Sequence, residues 1–156
     1  MRLTADDRAL IAAATDAIRR AFVPEWHHVG AALRTRTGKV FSAVNLDTYV
    51  GSCAICAEAC ALGAAYAAGE RGFDACVAVR WRGRGTPTVV APCGRCREML
   101  HDYGDPWVIH PTTRGVAKTR ASGLLPDAYL RPGERRGDPA TARPGDRPPR
   151  GRRPGR

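Results

Sequence analysis

Two short segments, Cys56-Ala57-Glu58 and Pro92-Cys93-Gly94-Arg95-Cys96, constrain this chain more than any other feature. Three thiols and a carboxylate in this order call for a fold that brings two distant segments around one metal. A zinc ion that activates water takes three protein ligands and keeps a fourth position open. Cys56, Cys93 and Cys96 supply three ligands. Glu58 follows the first by two residues, so it can stand beside the metal without binding it. Cys93 and Cys96 are three apart, which on one helical turn puts both sulfurs on one side. Pro92 fixes the entry to that turn without giving up a needed donor. At helix N-termini, unpaired amides and the helix dipole favour thiolate over thiol at Cys56 and Cys93. Three thiolates and one Zn²⁺ leave a net negative charge, which the dipoles and Arg95 or Arg97 would offset.

The same cysteines admit other readings. Cys53-x-x-Cys56 with Cys93-x-x-Cys96 is formally a four-Cys structural zinc pattern, but it spans 36 intervening residues and leaves Glu58 without a role. Pro-Cys-x-x-Cys taken alone also fits a redox pair. Cys60 and Cys76 read as core fillers.

Charge is unevenly placed along the 156 residues. Of the formal net +10, the segment 131–156 carries nine arginines against three acids, a net +6, leaving +4 for residues 1–130. The pI near 10.1 is therefore no nucleic-acid footprint of the folded part. The 131–156 segment holds six Pro and five Gly, with no aromatic or branched aliphatic residue. Such a composition cannot bury enough surface to offset ordering entropy, so it reads as a disordered basic tail whose default role is solubility, with weak phosphate contact second. Residues 1–130 read as one catalytic domain. No secretory leader and no run of about 18–20 apolar residues is visible. The expected setting is the cytoplasm, with reduced thiols and no membrane contact.

Along the chain, Thr4 as N-cap and apolar residues at Leu10, Ala13, Ala14, Ala17, Ile18 and Ala21 predict a helix over 5–21, ended by Pro24. Strands are expected over 28–34 and 39–46 around a turn at Gly38. A nearly uncharged, buried helix should begin at Cys53 or Ile55 and run to Ala68. Strands over 73–81 and 86–91 flank a turn at 82–85. A helix from Cys93 to about Tyr103, strands over 106–110 and 116–120, and a final turn or short helix from Leu124 complete the pattern. Alternating strands and helices argue for an α/β sheet covered on both faces.

The chain resembles the cytidine deaminases of the small three-Cys kind over about residues 5–130. Five separated motifs carry the likeness: Val29-Gly30-Ala31-Ala32-Leu33, Asn45-Leu46-Asp47, Cys56-Ala57-Glu58, Pro92-Cys93-Gly94-Arg95-Cys96-Arg97-Glu98 and Leu124-Leu125-Pro126. Zinc nucleobase deaminases share this Cys/Glu signature. Within the family, His27-His28-Val29-Gly30-Ala31-Ala32, Tyr49-Val50-Gly51 and Val77-Ala78-Val79-Arg80 are similar to the bacterial blasticidin-S deaminases. The resemblance implies a three-layer α/β/α sandwich around a mixed five-stranded sheet, one zinc per chain and a homotetramer. It also implies hydrolytic removal of the 4-amino group from a cytosine nucleoside: cytidine, deoxycytidine or the antibiotic blasticidin S. Glu58 would move protons between water, ring N3 and the departing amine. Asn45 matches the family's sugar-binding Asn, and Asp47 stands where Glu is usual. His27 takes the place of a Phe that stacks on the base. Ala59 replaces an Arg that bonds the thiolates, which leaves Arg95 and Arg97 to balance charge. The alternatives are a deaminase acting on a base within tRNA or single-stranded nucleic acid, and a non-enzymatic four-Cys zinc module.

Overall fold

The computed structural model describes residues 2–130; the tail expected over 131–156 lies outside them. Helix α1 spans Ala5–Ala21, the range its apolar spacing predicts. Thr4 caps it reciprocally: the Asp7 N–H donates to Thr4 Oγ1 (3.2 Å), and the Thr4 N–H donates to the Asp7 carboxylate (2.9 Å). Leu10, Ala14, Ala17 and Ile18 form its buried stripe. Phe22 turns the chain extended two residues before Pro24.

Strands β1 (Val29–Thr35) and β2 (Val40–Val44) form the expected hairpin, with Gly38 at φ +85° in its turn. Helix α2 (Ala57–Ala67) precedes β3 (Phe73–Arg80), and the short β4 (Thr88–Val90) leads into helix α3 (Gly94–Asp102). Strands β5 (Trp107–Thr112) and β6 (Gly115–Arg120) make an edge hairpin. The strand order is β2-β1-β3-β5-β6, with β4 also paired to β3. The β3–β5 pairing is parallel and the others are antiparallel, so the sheet is mixed as expected. It has six strands rather than five. Strand β1 takes one whole edge of β3, while β5 pairs with Ala75–Val77 and β4 with Ala78–Arg80 on the other.

Alternation along the central strands splits the core into two layers. Ala32, Ala75, Val77, Val79 and Ile109 meet α1. Ala31, Leu33, Cys76, Ala78 and Val108 meet α2 and α3. Gly30 is where α1 comes closest to the sheet. A Cβ there would lie 2.3 Å from the Ala14 carbonyl oxygen and 2.9 Å from Ile18 Cβ.

Two boundaries differ from expectation. Cys53 and Ile55 do not start α2. Leu46 and Ile55 exchange both backbone hydrogen bonds (2.9 and 2.8 Å), which holds Ile55 extended and leaves Cys53 in a separate 3₁₀ turn, Gly51–Cys53. The last short helix is also 3₁₀ and spans Ala121–Leu124, ending where it was expected to begin. Among the described residues, no helix is long and apolar enough to cross a membrane.

A buried ionic network ties α1 to the sheet. The fully buried Asp7 carboxylate meets Lys118 Nζ of β6 at 2.6 Å and Arg34 Nη2 of β1 at 3.3 Å, and Arg34 also meets Asp74 of β3 at 2.6 Å. Burial pushes the Asp7 carboxyl up. The bonds from Lys118, Thr4 and Arg34 outweigh it and bring its pKa down to about 2, from 3.8. The network's contribution is therefore complete above about pH 4 and lost as pH falls toward 2. Asp7→Ala is expected to destabilise the fold by about 3–5 kcal/mol, because Lys118 and Arg34 lose their buried counter-charge. It should also flatten the acid limb of stability between those pH values. Urea denaturation from pH 2 to 7 measures both.

Candidate metal centre

Cys56 and Cys93 are the N-cap residues of α2 and α3. Both are extended (φ −67°, ψ 147° and φ −67°, ψ 169°), and their carbonyls accept the first helical bonds, from Cys60 N and Arg97 N. Neither side chain makes a capping hydrogen bond, and the two sulfurs face each other between the helix ends. Their separation is 3.7 Å. Cys96, in the first turn of α3, completes a group of three sulfurs all within 4.8 Å of one another. A tetrahedral site with Zn–S bonds of about 2.3 Å has an S···S edge of about 3.8 Å. The cluster thus has the size and donor chemistry of a three-thiolate zinc site. Cys53 is exposed and is not part of the group, which removes the basis of the four-Cys reading. Cys76 is buried in the core, as expected, and Cys60 is half-buried.

The electrostatics agree with the need for a cation. Burial raises the Cys56 thiol, and its bond to Cys93 adds to this. Burial also raises Cys96, reinforced by the charges of Glu58, Cys56 and Cys93. At Cys93 burial acts upward, but the bonds from the Cys96 backbone and thiol and from Cys56 prevail and lower it. Three such thiols ionise together only when a positive ion shares their space.

Glu58 lies in the first turn of α2 and is only 6% exposed. Burial raises its carboxyl pKa, opposed by bonds from its own backbone N–H and from Cys96 and by the Arg95 charge. A carboxyl so placed holds a proton more readily than an exposed one, which suits it to take and return a proton. Of the two arginines expected to balance the thiolates, the structure brings only Arg95 to them. Its Nη2 lies 3.8 Å from Cys56 Sγ and 3.3 Å from the Ala54 carbonyl. Arg97 instead donates to the Pro92 carbonyl (2.9 Å) and the Leu124 carbonyl (3.3 Å), so it braces α3 against the last 3₁₀ turn.

A cavity of about 280 Å³ opens onto this cluster, lined by Cys56, Glu58 and Cys93 at the metal end and by Asn45 and Asp47 along one wall. Asn45 is largely committed to the chain. Its Oδ1 accepts from the His28 and Val29 amides (2.9 Å each), and its Nδ2 donates to the Trp26 carbonyl (3.1 Å). One Nδ2 hydrogen is left for a ligand. Asp47 Oδ1 accepts from the Thr48 amide (3.0 Å). His27 does not line the cavity, contrary to expectation. Its Nδ1 is bonded to the Asn45 carbonyl oxygen at 2.6 Å, and a bridge to Val23 holds its backbone. The wall residue is His28. Sequence reasoning also missed Val90, which lies just upstream of Pro92 on β4, the strand that delivers Cys93.

The family model for the cytidine and deoxycytidylate deaminase zinc-binding region matches residues 4–111. The chain is 39% identical over 134 residues to a blasticidin-S deaminase of Bacillus cereus, covering 83% of this chain and 96% of that protein. It is 33% identical over 119 residues to a cytidine deaminase of Mycobacterium tuberculosis, covering 74% and 84%. Among solved structures, the cytidine deaminase of Burkholderia pseudomallei superposes with a TM-score of 0.67 at 38% identity, covering 81% of this chain and all of that one. The cytidine deaminase of Mycobacterium leprae gives 0.66 at 29%, covering 80% and all of that chain. With the three sulfurs and the buried carboxyl in place, these matches establish that the chain belongs to the cytidine and deoxycytidylate deaminase zinc-binding family.

Proposed function

We propose that this protein is a zinc-dependent hydrolase that removes the 4-amino group of a free cytosine nucleoside, giving the uracil form and ammonia. The observation that carries the reading is the buried Glu58 carboxyl beside three converging sulfurs at the inner end of a cavity. Cys56, Cys93 and Cys96 would hold one zinc ion per chain, which when bound supplies a water that ionises near neutral pH and polarises it for attack. Glu58 accepts a proton from the attacking water. It delivers that proton to ring N3, then takes the proton of the new C4 hydroxyl and passes it to the departing amine, which leaves C4 as ammonia. Its raised proton affinity suits both halves of that task. Arg95 offsets the thiolate charge through Cys56. Asn45 and Asp47 offer a donor and an acceptor to the sugar.

The cavity is close to the small end of ligand pockets, about 300–1,000 Å³, which favours a free nucleoside over a base within tRNA or single-stranded nucleic acid. Residues 1–130 are the catalytic domain in this reading. The likeness to a blasticidin-S deaminase and to cytidine deaminases supports cytidine, deoxycytidine and blasticidin S as the substrates to test. A homotetramer is supported by exposed apolar residues near the cavity: Leu46 is 48%, Tyr49 95% and Val50 62% exposed. Six unpaired thiols fit a reducing cytoplasm.

Turnover of cytidine, deoxycytidine, free cytosine, blasticidin S and adenosine, followed by the ultraviolet change on loss of the amino group, tests the substrate class. At least one cytosine nucleoside should react and adenosine should not. Glu58→Gln is expected to keep its zinc and lose about 10²–10⁴ in kcat. Metal analysis of purified variants should find zinc retained in Cys53→Ala and lost in Cys93→Ala. Zinc loss in Cys53→Ala would restore the four-Cys site.

A further inference from the structure

The peptide between Asn45 and Leu46 is held at both ends. Its carbonyl oxygen lies 2.6 Å from His27 Nδ1. A carbonyl only accepts, so Nδ1 carries the hydrogen and the imidazole is the donor. At the other end, the Leu46 N–H donates to the Ile55 carbonyl at 2.9 Å. That carbonyl belongs to the peptide joining Ile55 to Cys56, the first residue of the sulfur cluster. The 45–46 peptide thus stands between a side chain outside the cavity and two residues of its wall, Asn45 and Cys56. Among the described residues, His27 is the one side chain that bonds it.

The segment that carries His27 is shaped to receive Asn45. The Asn45 N–H donates to the Val29 carbonyl (3.0 Å), and its side chain bonds the His28 and Val29 amides and the Trp26 carbonyl. Trp26 also meets Tyr49 edge to face, with ring centroids 5.0 Å apart. A tight turn sets the entry. The Trp26 and His27 amides both donate to the Val23 carbonyl (3.0 and 2.9 Å), and Glu25 takes a φ of +67°. A non-glycine residue seldom adopts that conformation, and here it brings His27 under the Asn45 carbonyl.

We infer that His27 is a positioning residue: through the 45–46 peptide it holds the free amide hydrogen of Asn45 and the sulfur of Cys56 in register across the cavity. The inference rests on the deaminase reading, in which Asn45 meets the sugar and Cys56 holds zinc. Two hydrogen bonds in line through one peptide polarise each other, so a donor at the carbonyl strengthens the N–H at the far end. Without His27 the carbonyl of a largely buried residue has no partner, and the peptide must turn to find one. That rotation moves the Asn45 side chain and the Ile55-Cys56 backbone together.

The test compares the wild type with His27→Asn, His27→Gln and His27→Leu. Asn can place an amide N–H where Nδ1 stands, Gln places one nearer Nε2, and Leu offers none. Zinc affinity is read by competition with a chromophoric chelator. KM and kcat are read at saturating zinc on the cytosine nucleoside that the wild type turns over fastest. His27→Leu and His27→Gln should each weaken zinc binding about tenfold and raise KM about tenfold, with kcat within about threefold. His27→Asn should stay within about threefold of the wild type on both. Asn and Gln variants that behave alike overturn the role, because a merely structural need for a polar group is met by either. A change in KM or in zinc affinity without the other overturns it too. If His27→Leu does not fold, the comparison of Asn with Gln carries the test. Failure of the wild type to deaminate any cytosine nucleoside overturns the deaminase reading instead, and the zinc competition still decides His27.

Discussion

Mutual repulsion among three sulfurs is the constraint to which the rest of this structure answers. Thiolates held within 4.8 Å of one another are stable only where positive charge converges. The fold supplies it from three directions. The amide-rich ends of α2 and α3 both point at the cluster, since Cys56 and Cys93 are their caps. Arg95 adds a full charge at Cys56. A divalent ion completes the balance. Because these charge sources are divided between α2 and α3, the centre exists only when both helices are docked on the same face of the sheet.

The docking comes from the sheet's alternation. Strand β3 is central: it pairs with β1 along one edge and shares the other between β4 and β5. The shared edge matters for chemistry. Strand β4 runs directly into Ala91 and Pro92, so its registration on Ala78–Arg80 fixes where Cys93 emerges. On the other side, the Leu46–Ile55 bridge fixes where Cys56 emerges. Two short, local pairings thus set the distance between two ligands that lie 37 positions apart in sequence.

What was legible in sequence and what was not follows from how local each determinant is. The span of α1 is written in its 3.6-residue apolar period and its Thr4–Asp7 cap, both local. The two cysteine N-caps and Glu58 follow from spacing within one helical turn. The misplaced features depend on partners far along the chain. His27 looked free to meet a ligand, but the backbone carbonyl of Asn45, 18 residues away, captures its ring. Arg97 looked equivalent to Arg95 until the Leu124 carbonyl, 27 residues on, claimed it. The start of α2 slipped because no local signal announces that Ile55 will pair with Leu46.

Gly30 carries a consequence across the thickness of the sheet. The backbone of β1 is in near contact with α1 at this point, with no room for even a methyl group between them. The next residue back, Val29, faces the opposite side and forms part of the cavity wall. The outer helix therefore serves as a rigid backing plate for the binding chamber. The chamber's depth is gauged from behind, by an absent side chain on a surface no substrate ever touches.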